Sequence, residues 1–252
     1  MEFGKEYIKT FDTEAQYLAF KASSGYNEPN VSYISGDSTV HYNPYDPYAG
    51  HAYVEISGIK WATMNVGATG ITDGGLYFQW GDTQGYTAAQ VGSGSGQKAF
   101  EWADYKYADT TSSPGSTGMT KYNSTDGKTE LESSDDAVNA AWGGSWRMPT
   151  EADFNALSAA TTNAWVTDYQ GSGVNGRLFT DKTDSSKTLF FPAAGSCGSG
   201  SVYDVGSGGG YWSSSLDTSN VAWGRYLDFI SFDCSIYSLN RRLGYSVRGV
   251  VG

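Results

Sequence analysis

The chain's 252 residues carry a formal net charge of −11, which opposes binding to a polyanion, so we expect no nucleic-acid partner. Charged residues make up only 17%, and 33 glycines favour a globular, turn-rich chain over a helical one. No apolar run approaches the roughly 20 residues that span a bilayer, so we expect no direct membrane insertion, and the first residues lack the pattern of a signal peptide.

The first 50 residues predict a small β module that ends in a linker. Short β-prone runs at 7–11, 17–21, 31–35 and 39–42 are typical of a β-meander. The segment 43–50 contains two prolines, which lack the N–H that a sheet interior requires. We therefore divide the chain into a module at 1–50 and a main domain at 51–252.

The main domain begins with a predicted hairpin, 53–64, around a Ser-Gly turn. Residues 75–81 are typical of a buried strand, whereas 83–128 are rich in Gly, Ser, Thr and Asp and predict a long loop. Residues 133–142 predict a helix capped by Ser133 or Ser134. The expected class is α+β, with short antiparallel sheets and about two helices.

The clearest helix signal begins at Thr150. Thr150 is a suitable N-cap, Asp153 follows at the capping-box position, and Phe154 and Leu157 are spaced to face the core. Beyond this helix, 177–195 predict a hairpin with its turn at 181–187. A Gly/Ser-rich loop at 195–210 is expected before the C-terminal stretch.

The C-terminal stretch, 211–252, predicts two strands with different faces. Alternation places Leu227 and Phe229 on one face and Tyr226, Asp228 and Ile230 on the other. After a turn near 232–233, Cys234 and Ile236 share a face opposite Ser235 and Tyr237. An outward mixture of Tyr, Asp, Ser and Arg is typical of binding loops, in which rigid aromatic residues supply area and small polar residues supply hydrogen bonds.

Several separated motifs follow one another along the chain: Trp61-Ala-Thr-Met-Asn-Val-Gly-Ala, Tyr77-Phe-Gln-Trp-Gly, Trp142-Gly-Gly-Ser-Trp-Arg-Met-Pro-Thr-Glu, Phe191-Pro-Ala-Ala-Gly, Tyr211-Trp-Ser-Ser-Ser and Gly244-Tyr-Ser-Val-Arg-Gly-Val. Their identity and order resemble the Fibrobacter succinogenes major paralogous domain. That family looks like a branch of the C-type lectin fold, so the resemblance implies this fold for 51–252. Gly249 departs from the family pattern, which has proline there.

A narrower resemblance is to the variable proteins of diversity-generating retroelements, which use the C-type lectin fold to display a mutated C-terminal region. Leu227 and Phe229 match fixed positions of those proteins. The resemblance implies a ligand-binding set made of Asp217, Arg225, Tyr226, Asp228, Ile230, Phe232, Asp233, Ser235, Tyr237, Ser238, Leu239, Arg242, Leu243 and Tyr245.

The predicted function is recognition of a protein or glycan ligand on a cell surface, by a phage receptor-binding protein or a bacterial adhesin. The expected location is the virion surface or the bacterial cell surface, and a homo-oligomer is compatible with these features. The alternative is a carbohydrate-binding or structural surface domain that is not diversified.

Other motifs have simpler explanations than catalysis or metal binding, so we expect no enzyme activity, cofactor or metal. Glu28-Pro-Asn30 resembles a sugar-and-calcium tripeptide but has no second motif to complete a calcium site. Gly171-Ser-Gly-Val-Asn-Gly176 precedes a strand, which indicates a hairpin turn and not a phosphate loop.

The side chains that could react have structural explanations too. His41 and His51 are the only histidines and lie near or before the linker. Cys197 and Cys234 could form one disulfide, and their number alone does not decide whether they do. The acid pairs 135–136 and 181/184 are expected to be solvated. Structural roles are expected for two arginines and five tryptophans: Arg147, Arg248, Trp61, Trp80, Trp142, Trp146 and Trp212.

Overall fold

The computed structural model describes residues 7–10, 31–33, 39–42, 51–109 and 118–252. Near the N-terminus, β1 (Tyr7–Thr10), β2 (Val31–Tyr33) and β3 (Thr39–Tyr42) form an antiparallel sheet in the order β1–β3–β2. The central strand is therefore β3, which corrects the sequential meander expected from the sequence. The predicted strand at 17–21, Glu28-Pro-Asn30 and the linker at 43–50 lie outside the described residues.

The main domain begins with the hairpin predicted from the sequence. It pairs β4 (Tyr53–Ile56) with β5 (Ile59–Asn65), and both turn residues, Ser57 and Gly58, have positive φ as a tight two-residue hairpin requires. The last strand, β14 (Arg248–Val251), adds to β5. This pairing joins the beginning and the end of residues 51–252 in one sheet.

A second sheet contains β6 (Thr161–Val166), β7 (Gly176–Asp181) and β8 (Thr188–Pro192), in that order. The β7–β8 hairpin is confirmed, and the Gly171–Gly176 segment lies in the β6–β7 connection, as expected. The strand β6 was not predicted. The expected loop at 195–210 instead contains β9 (Ser196–Gly198) and β10 (Ser201–Tyr203), which pair with each other.

The C-terminal stretch forms the sheet β11 (Gly208–Leu216), β12 (Trp223–Ile230) and β13 (Cys234–Asn240). The turn at 231–233 between β12 and β13 agrees with the sequence prediction. Both faces of this sheet contact the core. One face contacts a cluster that contains Trp80, Trp146 and Trp212, and the other contacts a cluster that contains Trp61 and Phe154.

Two α-helices lie in the described part of the chain. The first, α1 (Ala137–Trp142), has Asp136 as its N-cap, because a short 3-10 turn occupies 133–135. This corrects the expected cap at Ser133 or Ser134. The second, α2 (Glu151–Ala160), confirms the predicted capping box: the Thr150 hydroxyl accepts from Asp153 N at 3.1 Å, and Thr150 N donates to the Asp153 carboxylate at 2.7 Å. The fold is therefore α+β.

The segment 75–81 is buried as predicted, but it is not a regular strand. Tyr77 pairs through one bridge with Tyr86, and Phe78 pairs through one bridge with Tyr245. Large rings fill the surrounding interior and use their polar atoms: the Trp80 indole N–H donates to Ser213 O, and the Trp212 indole N–H donates to Phe78 O. Of the five expected core tryptophans, four are fully buried and Trp142 is partly buried.

Two arginines bond to backbone carbonyls and polar side chains in this loop-rich chain, and the buried Arg248 joins distant segments. Arg248 donates to Asn65 Oδ1, Ala62 O and Phe190 O, which confirms its structural role. Arg147 donates to Met148 O and to the Asp153 carboxylate, again as expected.

The acids at 135–136 are buried, contrary to the expectation of solvated carboxylates. Asp135 accepts from Lys106 Nζ at 2.8 Å and from the Tyr122 hydroxyl at 2.6 Å, and Asp136 caps α1. Asp181 is buried as well, whereas Asp184 is exposed as expected. Among the described residues, no helix is long and apolar enough to cross a membrane.

Candidate ligand-binding surface

Tyr226 and Tyr245 are buried, which corrects the outward, accessible position expected for them from the sequence. Their relative exposures are 7% and 6%, and their rings stack with centroids 4.8 Å apart. Tyr226 does lie on the face opposite Leu227 and Phe229, as alternation requires. That face is covered there, because the C-terminal segment places Tyr245 over Gly210, where a Cβ would be 2.2 Å from the ring.

Three further members of the predicted set serve the fold at other places. Asp217 is buried and accepts from Ser219 N at 2.8 Å, so it closes a turn. Arg225 faces α2 and lies 3.5 Å from the Glu151 carboxylate, and Ser238 is paired with Arg225 across β12–β13 on the same side. These positions are separated from Tyr237 by the sheet.

The end of β13 and the segment after it are packed against the long loop and the core, so their predicted residues are only partly accessible. Arg242 donates to Phe100 O at 2.8 Å and lies 3.2 Å from the Glu101 carboxylate. Leu239 and Leu243 are partly buried and pack against the core cluster that contains Trp80. These three side chains border the accessible region without forming its centre.

The accessible part of the predicted set forms one continuous patch at the end of the β12–β13 hairpin. We call it the hairpin surface, and it consists of Asp228, Ile230, Phe232, Asp233, Ser235 and Tyr237. Phe232 in the turn is 85% exposed and Tyr237 is 46% exposed. Register places Asp228 opposite Ser235, and Tyr237 lies beside this pair on the same face.

Asp233 organises the hairpin surface through its side chain and its backbone. The Tyr237 hydroxyl donates to one carboxylate oxygen at 3.0 Å, and the Ser235 hydroxyl donates to the other at 3.1 Å. Asp233 O also accepts from Ile230 N at 3.0 Å, which closes the turn. The exposed Tyr237 ring is therefore held in place, so little conformational freedom would be lost on binding.

An open groove of about 370 Å³ adjoins the hairpin surface. The β11 residues 208–210 form its floor, and Asp204 and Ser207 line it from the β10–β11 connection. Asp228 and Ile230, the β12 partners of Gly210 and Gly208, line it as well, together with Phe232. Burial raises the pKa of the Asp228 carboxyl to about 6, with additional repulsion from Asp233 and Asp204.

The groove residues Asp204, Ser207 and Gly208 were not identified from the sequence. The run Gly208-Gly-Gly210 was a usable signal, because glycines inside a strand often mark a place where another group approaches closely. Asp204 has φ of 59°, a left-handed conformation that aspartate tolerates better than most residues. Nothing in local sequence connects it with Asp228.

The side chains considered for catalysis or metal binding are placed as follows. Both cysteines are free, and burial raises the pKa of Cys197 to about 12 and that of Cys234 to about 11. His51 stacks on Trp142 with ring centroids 4.0 Å apart. Within the described residues, no group of three or more His, Cys, Asp or Glu side chains is arranged to hold a metal ion.

Comparison of the chain with protein-family models, curated proteins and solved structures found no match.

Proposed function

We propose that this chain is a ligand-binding display protein with the C-type lectin fold, and that its hairpin surface recognises a macromolecule on a cell surface. We further propose that it is a variable protein of a diversity-generating retroelement. The fold assignment rests on the ordered sequence motifs. The assignment of the binding surface rests on the exposure of apolar side chains around the β12–β13 hairpin.

The observation that carries the proposal is the position of the exposed apolar residues. Phe232, in the β12–β13 turn, is 85% exposed, and Tyr237, whose hydroxyl bonds to the adjacent Asp233, is 46% exposed. Single exposed apolar residues need no explanation, but a group of them marks an interaction site. Aromatic residues such as Phe232 and Tyr237 are the residue types that contribute most to protein interfaces.

Recognition agrees better than catalysis with the chemistry of this region. A thiol with a raised pKa is protonated at neutral pH and is a weak nucleophile, which applies to Cys234 beside the hairpin surface. The groups that are accessible are aromatic rings, hydroxyls and carboxylates. Such groups form complementary contacts, and neighbouring Leu227 and Phe229 in the core support them without being accessible.

The binding proposal is tested by labelling the chain with a fluorophore and measuring binding to a panel of intact bacterial strains by flow cytometry. The double variant Phe232→Ser/Tyr237→Ser should lose at least about tenfold in affinity, because aromatic anchors dominate interface energies. The matched control is Ile71→Ser/Tyr53→Ser, two side chains that are each 41% exposed away from the hairpin. Equal loss in both double variants would contradict the proposal.

Two further measurements separate the parts of the proposal. A glycan array probed with the same variants distinguishes a glycan ligand from a protein ligand. Sequencing of the DNA beside the gene should reveal a reverse transcriptase and an adenine-rich near-copy of the segment encoding 211–252. If both are absent, the retroelement assignment is wrong, even when the hairpin surface binds cells.

A further inference from the structure

The groove beside the hairpin surface has room because residue 208 is glycine. A Cβ at Gly208 would point between Ile230 Cγ2, at 3.3 Å, and Asp204 Cβ, at 3.9 Å. The backbone of Gly208 is not in the left-handed region, so its conformation does not require glycine. A glycine inside a strand lowers stability, and here its effect is to leave the groove open.

The walls of the groove are acidic and aromatic, and no basic residue lines it in the described structure. Asp204 and Asp228 both line the groove, and Asp233 and Asp204 lie close enough to raise the pKa of Asp228. Arg177 of β7 lies on the other face of the sheet, beside Cys234. From there it donates to Ile230 O at 3.2 Å. The charge in the groove is therefore not neutralised from within.

The apolar lining of the groove suits the same kind of ligand as its negative charge. The apolar part of Ile230 and the rings of Phe232 and Tyr245 line the groove beside the carboxylates. A long side chain with a methylene stem and a cationic end would bury its stem against these groups and place its charge beside Asp228. An aromatic ring also attracts a cation over its face. Anions are disfavoured by the same carboxylates.

We propose that this groove receives the lysine or arginine side chain of a protein partner that binds at the hairpin surface. This inference rests on the proposed function and specifies its partner: a protein whose contact surface carries a basic residue. Free metal is a poorer fit, because the described residues contain no group of three ligating side chains in a suitable arrangement.

The test is an NMR titration of the isotope-labelled full chain with acetyl-Gly-Lys-Gly-amide and acetyl-Gly-Arg-Gly-amide near neutral pH. We expect shifts of the Gly208, Gly210 and Asp228 amides, with affinity at least about tenfold above that of acetyl-Gly-Gln-Gly-amide. Raising the salt concentration to about 0.5 M should weaken the basic peptides and leave the glutamine peptide unchanged.

Two variants test the groove itself. Asp228→Asn removes the central charge without changing the shape and should lower the affinity for both basic peptides at least about tenfold. Gly208→Leu should block the groove. Its matched control, Gly70→Leu, adds the same side chain where no atom lies within 4 Å, so peptide binding should be unchanged.

Several outcomes would overturn the inference. These are equal binding of the glutamine peptide, unchanged binding in Asp228→Asn, tighter binding of glucosamine than of either basic peptide, and no binding of the basic peptides. If cell binding through Phe232 and Tyr237 persists in any of these cases, only the groove assignment fails. If the Phe232→Ser/Tyr237→Ser variant binds cells as well as the unaltered chain, the proposed function itself fails.

Discussion

Tyr226 and Tyr245 show how a single contact can reverse the role of a residue. Both are tyrosines at positions that the retroelement resemblance assigns to ligand binding, yet each is at least nine-tenths buried. Their stacked rings also contact Trp212, with centroids 5.7 Å and 4.9 Å from it. Burial raises the pKa of both tyrosines, that of Tyr226 to about 12.

We therefore expect Tyr226→Ala and Tyr245→Ala to lower the free energy of unfolding by about 3 kcal/mol or more each, as removal of a buried aromatic ring does. Tyr237→Ala should change it by much less, by roughly 0.5 kcal/mol, because that side chain is 46% exposed and lies at the surface. Urea denaturation of the three variants measures these differences. Similar values for Tyr237 and Tyr245 would contradict this division between fold and surface.

Asp228 should make the protein less stable as the pH rises. Its pKa is about 6 in the folded chain and 3.8 in the reference state, so between these values the folded chain binds more protons than the unfolded chain. The groups that face it are Asp204 from the β10–β11 connection, Asp233 from the turn, Ser235 from β13, and Tyr226 and Tyr245 beneath. Stability is therefore lost as the pH rises from about 4 to 6.

Asp228→Asn should consequently raise the free energy of unfolding at pH 7.5 by about 1 kcal/mol. The full shift corresponds to roughly 3 kcal/mol, and solvent in the open groove reduces this effect. At pH 4 the variant and the unaltered chain should be about equally stable. Thermal unfolding at both pH values checks the sign, and destabilisation at pH 7.5 would show that Asp228 has a favourable partner.

At the scale of single elements, several short-range patterns were sufficient for prediction. Thr150 and Asp153 locate the start of α2 because a capping box requires only four consecutive residues, and the Ser57-Gly58 turn locates the β4–β5 hairpin. The failures involve elements that depend on distant partners. Residues 75–81 are held by single bridges to Tyr86 and Tyr245, which periodicity alone cannot distinguish from a regular strand.

The candidate site was predictable only in part, for the same reason. Alternation correctly divided β12 into two faces, and it placed Asp228, Ile230, Ser235 and Tyr237 on the face that is accessible at the hairpin end. It could not show that Tyr245 returns over Gly210 and covers the base of that face. The opposing wall at Asp204 comes from another connection and has no local signal.

The last strand, β14, tolerates no side chain at residue 249. A Cβ there would lie 2.2 Å from Trp142 Cζ3 and 2.9 Å from Val138 Cγ1, at the point where the β14–β5 register shifts. A side chain at this position would therefore have to displace Trp142 or Val138 of α1.

We expect Gly249→Ala to lower the free energy of unfolding by about 2 kcal/mol through overpacking. Gly252→Ala is the matched control, because its Cβ would meet its nearest neighbour at an ordinary 3.4 Å. Urea denaturation compares the two variants, and equal stability would mean that Trp142 moves aside without cost.

Across the whole molecule, the long loop-rich region supports the base of the β12–β13 hairpin. Arg241, immediately after β13, donates to Lys121 O, Tyr122 O and Val221 O and lies over the Trp80 ring at 4.7 Å. One fully buried guanidinium therefore joins the end of the hairpin to the 119–122 segment and to the β11–β12 connection. Hydrogen bonds from this guanidinium to backbone carbonyls therefore hold the irregular chain around the hairpin, where the described residues form no β-ladder that could do so.

The net charge of −11 acts at this scale as well. A strongly acidic protein attracts cationic partners over distances comparable with the Debye length and repels further copies of itself. This global field and the acidic groove favour the same class of partner.

The stack of Tyr245 on Tyr226 also limits how this scaffold can evolve. Random replacement at Ile230, Phe232, Ser235 and Tyr237 changes side chains that hold little of the interior, so a large share of the resulting proteins should still fold. If positions 226 and 245 were replaced at random as well, each variant could lose the stacked pair of tyrosine rings from the core. The crossing of the C-terminal segment over the sheet therefore limits how many positions on this face can change without loss of the fold.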